Sequence, residues 1–296
     1  TSATYLSEVA TREHRGFYSS FQYVTLILGQ LSALALLLIL QALLSQEELE
    51  AWGWRIPFAL GAALALVALY LRRSLVETES FAVAASRRVN PARELLKHPR
   101  ALVTVVGLTM GGTLAFYTYT TYMQKFLVNT AGFTKASATS VTAAALCVFL
   151  LMQPLMGALS DRIGRRPLLL GFGIGGMIAT VPLMHALATV QTPLAAFALI
   201  TFALLIVSGY TSINAVVKAE LFPAQVRALG VGLPYAITVS IFGGSAEYVA
   251  LQFKAAGIES GFYWYVVACI GVSLLTYWRM GETRSSSLID RDRSAY

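Results

Sequence analysis

The sequence predicts an all-α, polytopic membrane helix bundle, and three features carry that expectation. Of 296 residues, 56% are hydrophobic and only 12% charged, about half the charge of an ordinary soluble domain. The apolar residues gather into eight runs, each near the roughly 20 residues that a helix needs to cross a bilayer core. Lysine and arginine concentrate in alternate loops between those runs. Strand-like alternation is absent, which excludes a β-barrel.

The runs cover residues 18–44, 55–71, 101–123, 137–159, 168–188, 194–217, 229–251 and 261–278. Helices suit them because an uncharged helix satisfies its own backbone in lipid. The run at 55–71 is short and leaves little room for tilt. With 1–17, 72–100, 160–167, 218–227 and 279–296 on the cytoplasmic side, 18 of the 22 basic residues lie inside. Arg55, Lys125, Lys135 and Lys254 are left outside. Both ends of the chain are then cytoplasmic, and Trp52 and Trp54 sit at an outer interface that favours amphipathic rings. The net charge of +7 comes in short bursts rather than on one face, which excludes a nucleic-acid surface.

Several motifs fail on context. Gly171 to Gly176 reads G-x-G-x-x-G inside an apolar run with no preceding strand, so helix packing is expected there and not a dinucleotide. No phosphate-binding G-x-x-x-x-G-K-S/T occurs. His14, His98 and His185 are scattered, and Cys147 and Cys269 lie within apolar runs. No cofactor or metal is expected. A membrane-embedded transferase would need a His, Asp or Cys cluster at one membrane face, and none is evident.

Two cytoplasmic loops share a spacing: Glu8 precedes Arg15 by seven residues and Glu220 precedes Arg227 by seven, each pair just before an apolar run. That pattern suggests two parallel halves. The run from Gly157 to Pro167, GALSDRIGRRP, resembles the G-x-x-x-D-R-x-G-R-R signature of the major facilitator superfamily. WGWRIPF from Trp52 to Phe58 resembles its metabolite:proton symporter family. The stretches 18–25, 119–125, 219–230 and 243–250 are similar to the α-ketoglutarate permeases, a branch of that family. The resemblance covers essentially the whole chain.

It implies a major facilitator fold lacking its first three to four transmembrane helices. Residues 1–71 would complete an N-terminal half as the inner end of span four with spans five and six. Residues 72–100 would be a cytoplasmic linker, 101–279 a six-helix C-terminal half, and 280–296 a cytoplasmic tail. The implied activity is proton symport of a small dicarboxylate, 2-oxoglutarate, by a monomer in a bacterial inner membrane. A related symporter for shikimate, citrate or an osmolyte such as proline or betaine is the alternative.

Candidate residues follow. Asp161, near the start of span five around Gly16 to Ser20, would meet that helix's positive end, and Arg162 or Arg166 would pair Glu8 or Glu220. With Gly164, Arg165, Arg15 and Arg227 these form an expected gate, against the plainer reading of a solvated, topology-setting loop. Arg55 is either an interfacial anchor or a grip for a carboxylate. Tyr117, Thr121 and Gln124 recur at i, i+4 and i+7 on one helix face, with Lys125 at its outer end. Tyr210, Asn214 and Lys218 form a second stripe, Lys218 reaching the cytoplasmic surface. Tyr23 and Gln30 complete a cavity lining, although helix–helix hydrogen bonding would explain such polar faces too. Glu247, a carboxylate within a span, is either a proton carrier or a paired structural group.

Overall fold

The computed structural model describes residues 2–73 and 91–290. The expected linker residues 74–90 and the last six residues of the expected tail lie outside the described residues. A short helix, α1 (Ser2–Val9), leads into α2 (Arg15–Leu43). After a turn the chain returns as α3 (Arg55–Arg73). The spans that follow are α4 (Pro99–Asn129), α5 (Lys135–Ile163), α6 (Arg165–Thr189), α7 (Pro193–Glu220), α8 (Ala224–Ala255) and α9 (Glu259–Arg279). Seven helices among the described residues are long and apolar enough to cross a membrane. An eighth crossing is possible where Gln46–Gly53 and Arg55–Leu71 join at a 43° bend. All eight expected runs are helical.

Local sequence explains the boundaries. Thr134 and Thr192 accept from the backbone N–H groups of Ser137 and Ala195, capping α5 and α7. Pro99 and Pro193 occupy first turns, where a missing N–H costs nothing. Gly164 separates α5 from α6 with φ +98°, and a Cβ there would lie 2.6 Å from Glu282 Oε2. Only glycine fits both demands.

α2 packs along α5, while α4, α6 and α9 pack together, as do α5, α6 and α7. The main core is built from Phe116, Phe126, Phe149, Phe172, Leu204 and Ile270 among others. A smaller one joins Leu95, Val105, Phe222 and Ile289. Phe58, Leu64, Leu66 and Tyr70 of α3 face outward, as a lipid-facing helix requires. α2 and α5 touch backbone to backbone: a Cβ on Gly157 would lie 2.6 Å from the Gly16 carbonyl oxygen. Small residues permit that approach.

Two spans contain wide π turns, at Thr118–Tyr122 in α4 and Val239–Gly243 in α8. Such turns carry one extra residue per hydrogen-bonded ring and gather at functional sites. They meet each other's helices, because Gly243 lies where a Cβ would strike Thr113 and the Tyr117 ring. α7 is interrupted as well, at Ser212 and Ile213, between Pro193–Thr211 and Asn214–Glu220.

Candidate functional site

Charged residues converge on the end of the bundle where α2 begins and α5 ends. Asp161 accepts hydrogen bonds from Gly16 N at 2.8 Å and Phe17 N at 2.9 Å. Those are otherwise unpaired first-turn N–H groups of α2, where the helix dipole adds to the attraction. Arg165 Nη1 donates to the same carboxylate at 2.8 Å and to Ser160 Oγ at 2.6 Å. One buried carboxylate therefore ties α2 to α5 and α6. Glu220, at the end of α7, lies between Arg15 at 3.8 Å and Arg165 at 3.9 Å. These are ion contacts rather than hydrogen bonds, and Glu220 Oε1 has no hydrogen-bond partner.

The pairing differs from the expected one. Arg165, not Arg162 or Arg166, faces Glu220, and Arg227 Nη1 pairs Glu8 at 2.8 Å. The positive φ of Gly164 turns the chain so that Arg165 points inward. Arg162 stays exposed, and Arg166 donates to the carbonyl oxygen of Trp278 at 2.7 Å. Arg227 also donates from Nε to the carbonyls of Ala219 and Phe222, anchoring α8 to the end of α7.

Two acidic residues of this cluster and a threonine carried no sequence signal. Glu282 accepts from the N–H groups of Arg165 and Arg166 at 2.9 Å each, capping α6. Asp290 accepts from Arg15 Nη2 at 2.7 Å and pairs Arg12. Thr283 donates to Glu220 Oε2 at 2.6 Å, which places the start of the expected tail, at its Oγ1, inside the same network.

At the opposite end, Lys125 of α4 forms a salt bridge with Glu247 of α8. Both are partly exposed, 55% and 30% at the side chain, so the pair adds no more than about 1 kcal/mol. Lys125→Met is expected to leave thermal unfolding in detergent nearly unchanged; a fall in Tm of many degrees would contradict that weak coupling. Lys254, Thr130 and Glu259 form a second polar link there. Arg55 donates to the Ala51 carbonyl at 2.7 Å and lies over the Trp54 ring at 4.6 Å. It is not brought against the other candidate residues.

Between the two ends lies an aromatic polar cluster. The phenols of Tyr117 (α4), Tyr210 (α7) and Tyr235 (α8) lie within electrostatic range of that of Tyr23 (α2). Asn214 Oδ1 is buried without a hydrogen-bond partner, and the Tyr210 hydroxyl lies near Thr113 and Thr109. Gln30 donates to Thr121 Oγ1 at 3.2 Å, and Gln124 donates to Thr139 of α5. Thr121 and Gln124 thus face different helices, and the expected single stripe with Tyr117 is corrected. The π turn at Thr118–Tyr122 shifts the phase that i, i+4 and i+7 assume. Lys218 is a further correction: it is 1% exposed, with its ammonium 3.5 Å from the Tyr235 ring centroid. The segment that carries it, Asn214–Glu220, is buried at every residue rather than lying at the surface.

Comparison with known proteins sets this geometry in context. A family model described as Major Facilitator Superfamily matches residues 1–246. The alpha-ketoglutarate permease of Escherichia coli K12 is 56% identical over 275 residues, covering 93% of this chain and 64% of the permease. A citrate-proton symporter of Salmonella typhi is 31% identical over 275 residues, covering 90% of the chain and 62% of the symporter. The chain thus spans a little under two thirds of these relatives' length. The proton:xylose symporter XylE, solved with 6-bromo-6-deoxy-D-glucose, superposes with a TM-score of 0.75 at 20% identity. That match covers all of this chain and 70% of the symporter.

Proposed function

Since the chain belongs to the major facilitator superfamily and is a multi-pass membrane protein, we propose that the full-length protein carries 2-oxoglutarate inward across a bacterial inner membrane together with one or more protons. The 56% identity to an alpha-ketoglutarate permease is the observation that carries this reading. The charge pattern of the loops supports placing the Asp161 end in the cytoplasm and both chain ends with it.

In this reading, residues 1–71 and 101–279 belong to two halves that rock about a central cavity. The network around Asp161, Arg165, Glu220 and Arg15, with Glu8 and Arg227, closes the cytoplasmic end. It forms only when α2 lies against α5, so its making and breaking biases the two states. The loose Glu220 contacts suit an interface that must separate in each cycle. Tyr23, Gln30, Tyr117, Thr121, Gln124, Tyr210 and Asn214 line the path. Arg55 and Lys125 at the outer end supply positive charge that gathers anions, and Glu247 beside Lys125 is placed to exchange a proton with the outer medium. The proton gradient and membrane potential drive accumulation, the potential contributing about 2.3 kcal/mol per charge per 100 mV. The protein acts as a monomer and catalyses no covalent change.

Uptake of labelled 2-oxoglutarate into vesicles holding the full-length protein tests this. Acidifying the outer medium should stimulate uptake, and a collapsed gradient should prevent accumulation. No stimulation by acid would remove proton coupling. Stronger competition by citrate, shikimate or betaine than by unlabelled 2-oxoglutarate would reassign the substrate.

A further inference from the structure

Lys218 is the most deeply buried cation that neither end of the bundle uses. Its side chain is 1% exposed, it lies two residues from Glu220, and its ammonium rests on the Tyr235 ring at 3.5 Å. Among the described residues it has no carboxylate within salt-bridge distance and no side-chain hydrogen bond. The other fully buried cations are treated differently: Arg15, Arg165 and Arg227 each pair a carboxylate. A ring face attracts a cation through its quadrupole, but it replaces only part of the hydration that burial removes.

The surroundings are those of a recognition site rather than of a packing accident. Tyr235 holds the ammonium from α8, and its phenol lies close to that of Tyr23 of α2. A buried cation lacking a counter-ion matches an anionic oxygen ligand.

We propose that Lys218 is the carboxylate-binding cation of the transport cavity, parked on the Tyr235 ring until a substrate carboxylate replaces the ring as its partner. The proposal rests on the carboxylate-transport reading given above. It also explains why this cation stands apart from the Asp161 network two residues away: a counter-ion from the protein would compete with the cargo. Tyr235, bridging Lys218 and Tyr23, then reports occupancy of the site to α2.

The test is ligand-induced thermal stabilisation of the purified full-length protein, with 2-oxoglutarate, succinate and betaine as probes. Unaltered protein should gain Tm with 2-oxoglutarate. In Lys218→Met the ligand-free Tm should hold or rise, because an uncompensated buried charge is removed. The apparent affinity for 2-oxoglutarate should fall by about 30-fold or more. Lys218→Arg should recover part of that loss, and Tyr235→Leu should leave binding in place while slowing uptake. If Lys218→Met binds 2-oxoglutarate as tightly as unaltered protein, the proposal is overturned and the carboxylate-transport reading stands. If unaltered protein responds to betaine but to neither dicarboxylate, the substrate reading fails and takes the proposal with it. A Lys218→Met protein with a sharply lower ligand-free Tm would mark the lysine as structural and also overturn the proposal.

Discussion

Asp161→Ala in the full-length protein is expected to abolish most uptake without abolishing membrane insertion. The substitution leaves Arg165 buried with only Ser160 as a hydrogen-bond partner, and it orphans the N–H groups of Gly16 and Phe17. Breaking a buried pair from one side costs about 3 kcal/mol or more. The loss falls on the arrangement in which α2 lies against α5, so the ratio of closed to open cytoplasmic ends drops roughly a hundredfold. Asp161→Asn should do less, because an amide keeps an acceptor for one N–H while losing the charge that Arg165 and the helix dipole see. Labelling of a cysteine placed at Phe17 by a membrane-impermeant maleimide from the cytoplasmic side should rise in the order unaltered, Asn, Ala. Equal labelling in all three would show that this carboxylate does not hold the end shut.

Gly157→Val is expected to be as severe by a steric route. A Cβ on Gly157 would stand 2.6 Å from the Gly16 carbonyl and 2.9 Å from Ser20 Cβ. No side-chain rotation relieves an overlap with backbone, so α2 must move away from α5 and Asp161 loses its reach to Gly16 and Phe17. Gly157→Val uptake should fall at least tenfold, in line with the roughly 1–3 kcal/mol of an overpacked contact. Retained uptake would mean that the helices do not need to approach so closely in any state of the cycle.

The helices were legible because each crosses about 20 residues without a strong charge, and burial of backbone in lipid leaves that pattern few other solutions. The GALSDRIGRRP run was legible for a related reason: its charges sit where a chain turns between spans, and a glycine at Gly164 marks the turn. Partner choice was less accessible. Glu8 and Arg227 meet across 219 residues of sequence, and no spacing rule links them. Residues Glu282, Thr283 and Asp290 read as a polar tail, since a carboxylate in a loop looks alike whether solvated or capping a helix.

Lys218 was misplaced because a lysine near a span end ordinarily extends to water. The segment Asn214–Glu220 is instead buried at every residue, and its composition does not announce that. The faces of α4 were misjudged in a similar way. A π turn is a shift in backbone hydrogen bonding, and TYTTY has no residue that demands one.

That turn gives α4 a property that a uniform helix lacks. An added residue rotates everything beyond it by about 100° about the axis, so the segment after Tyr122 is offset by a fixed angle from the segment before Thr118. Tyr117 can be oriented toward the shared aromatic cluster while Gln124 and Lys125 are aimed elsewhere. The span behaves as two short rods on one shaft, one keyed to the aromatic cluster and one to the end that holds Glu247. The coupling between them is a torsional phase that substitution of any single side chain would leave intact, and that only a change in residue number would reset.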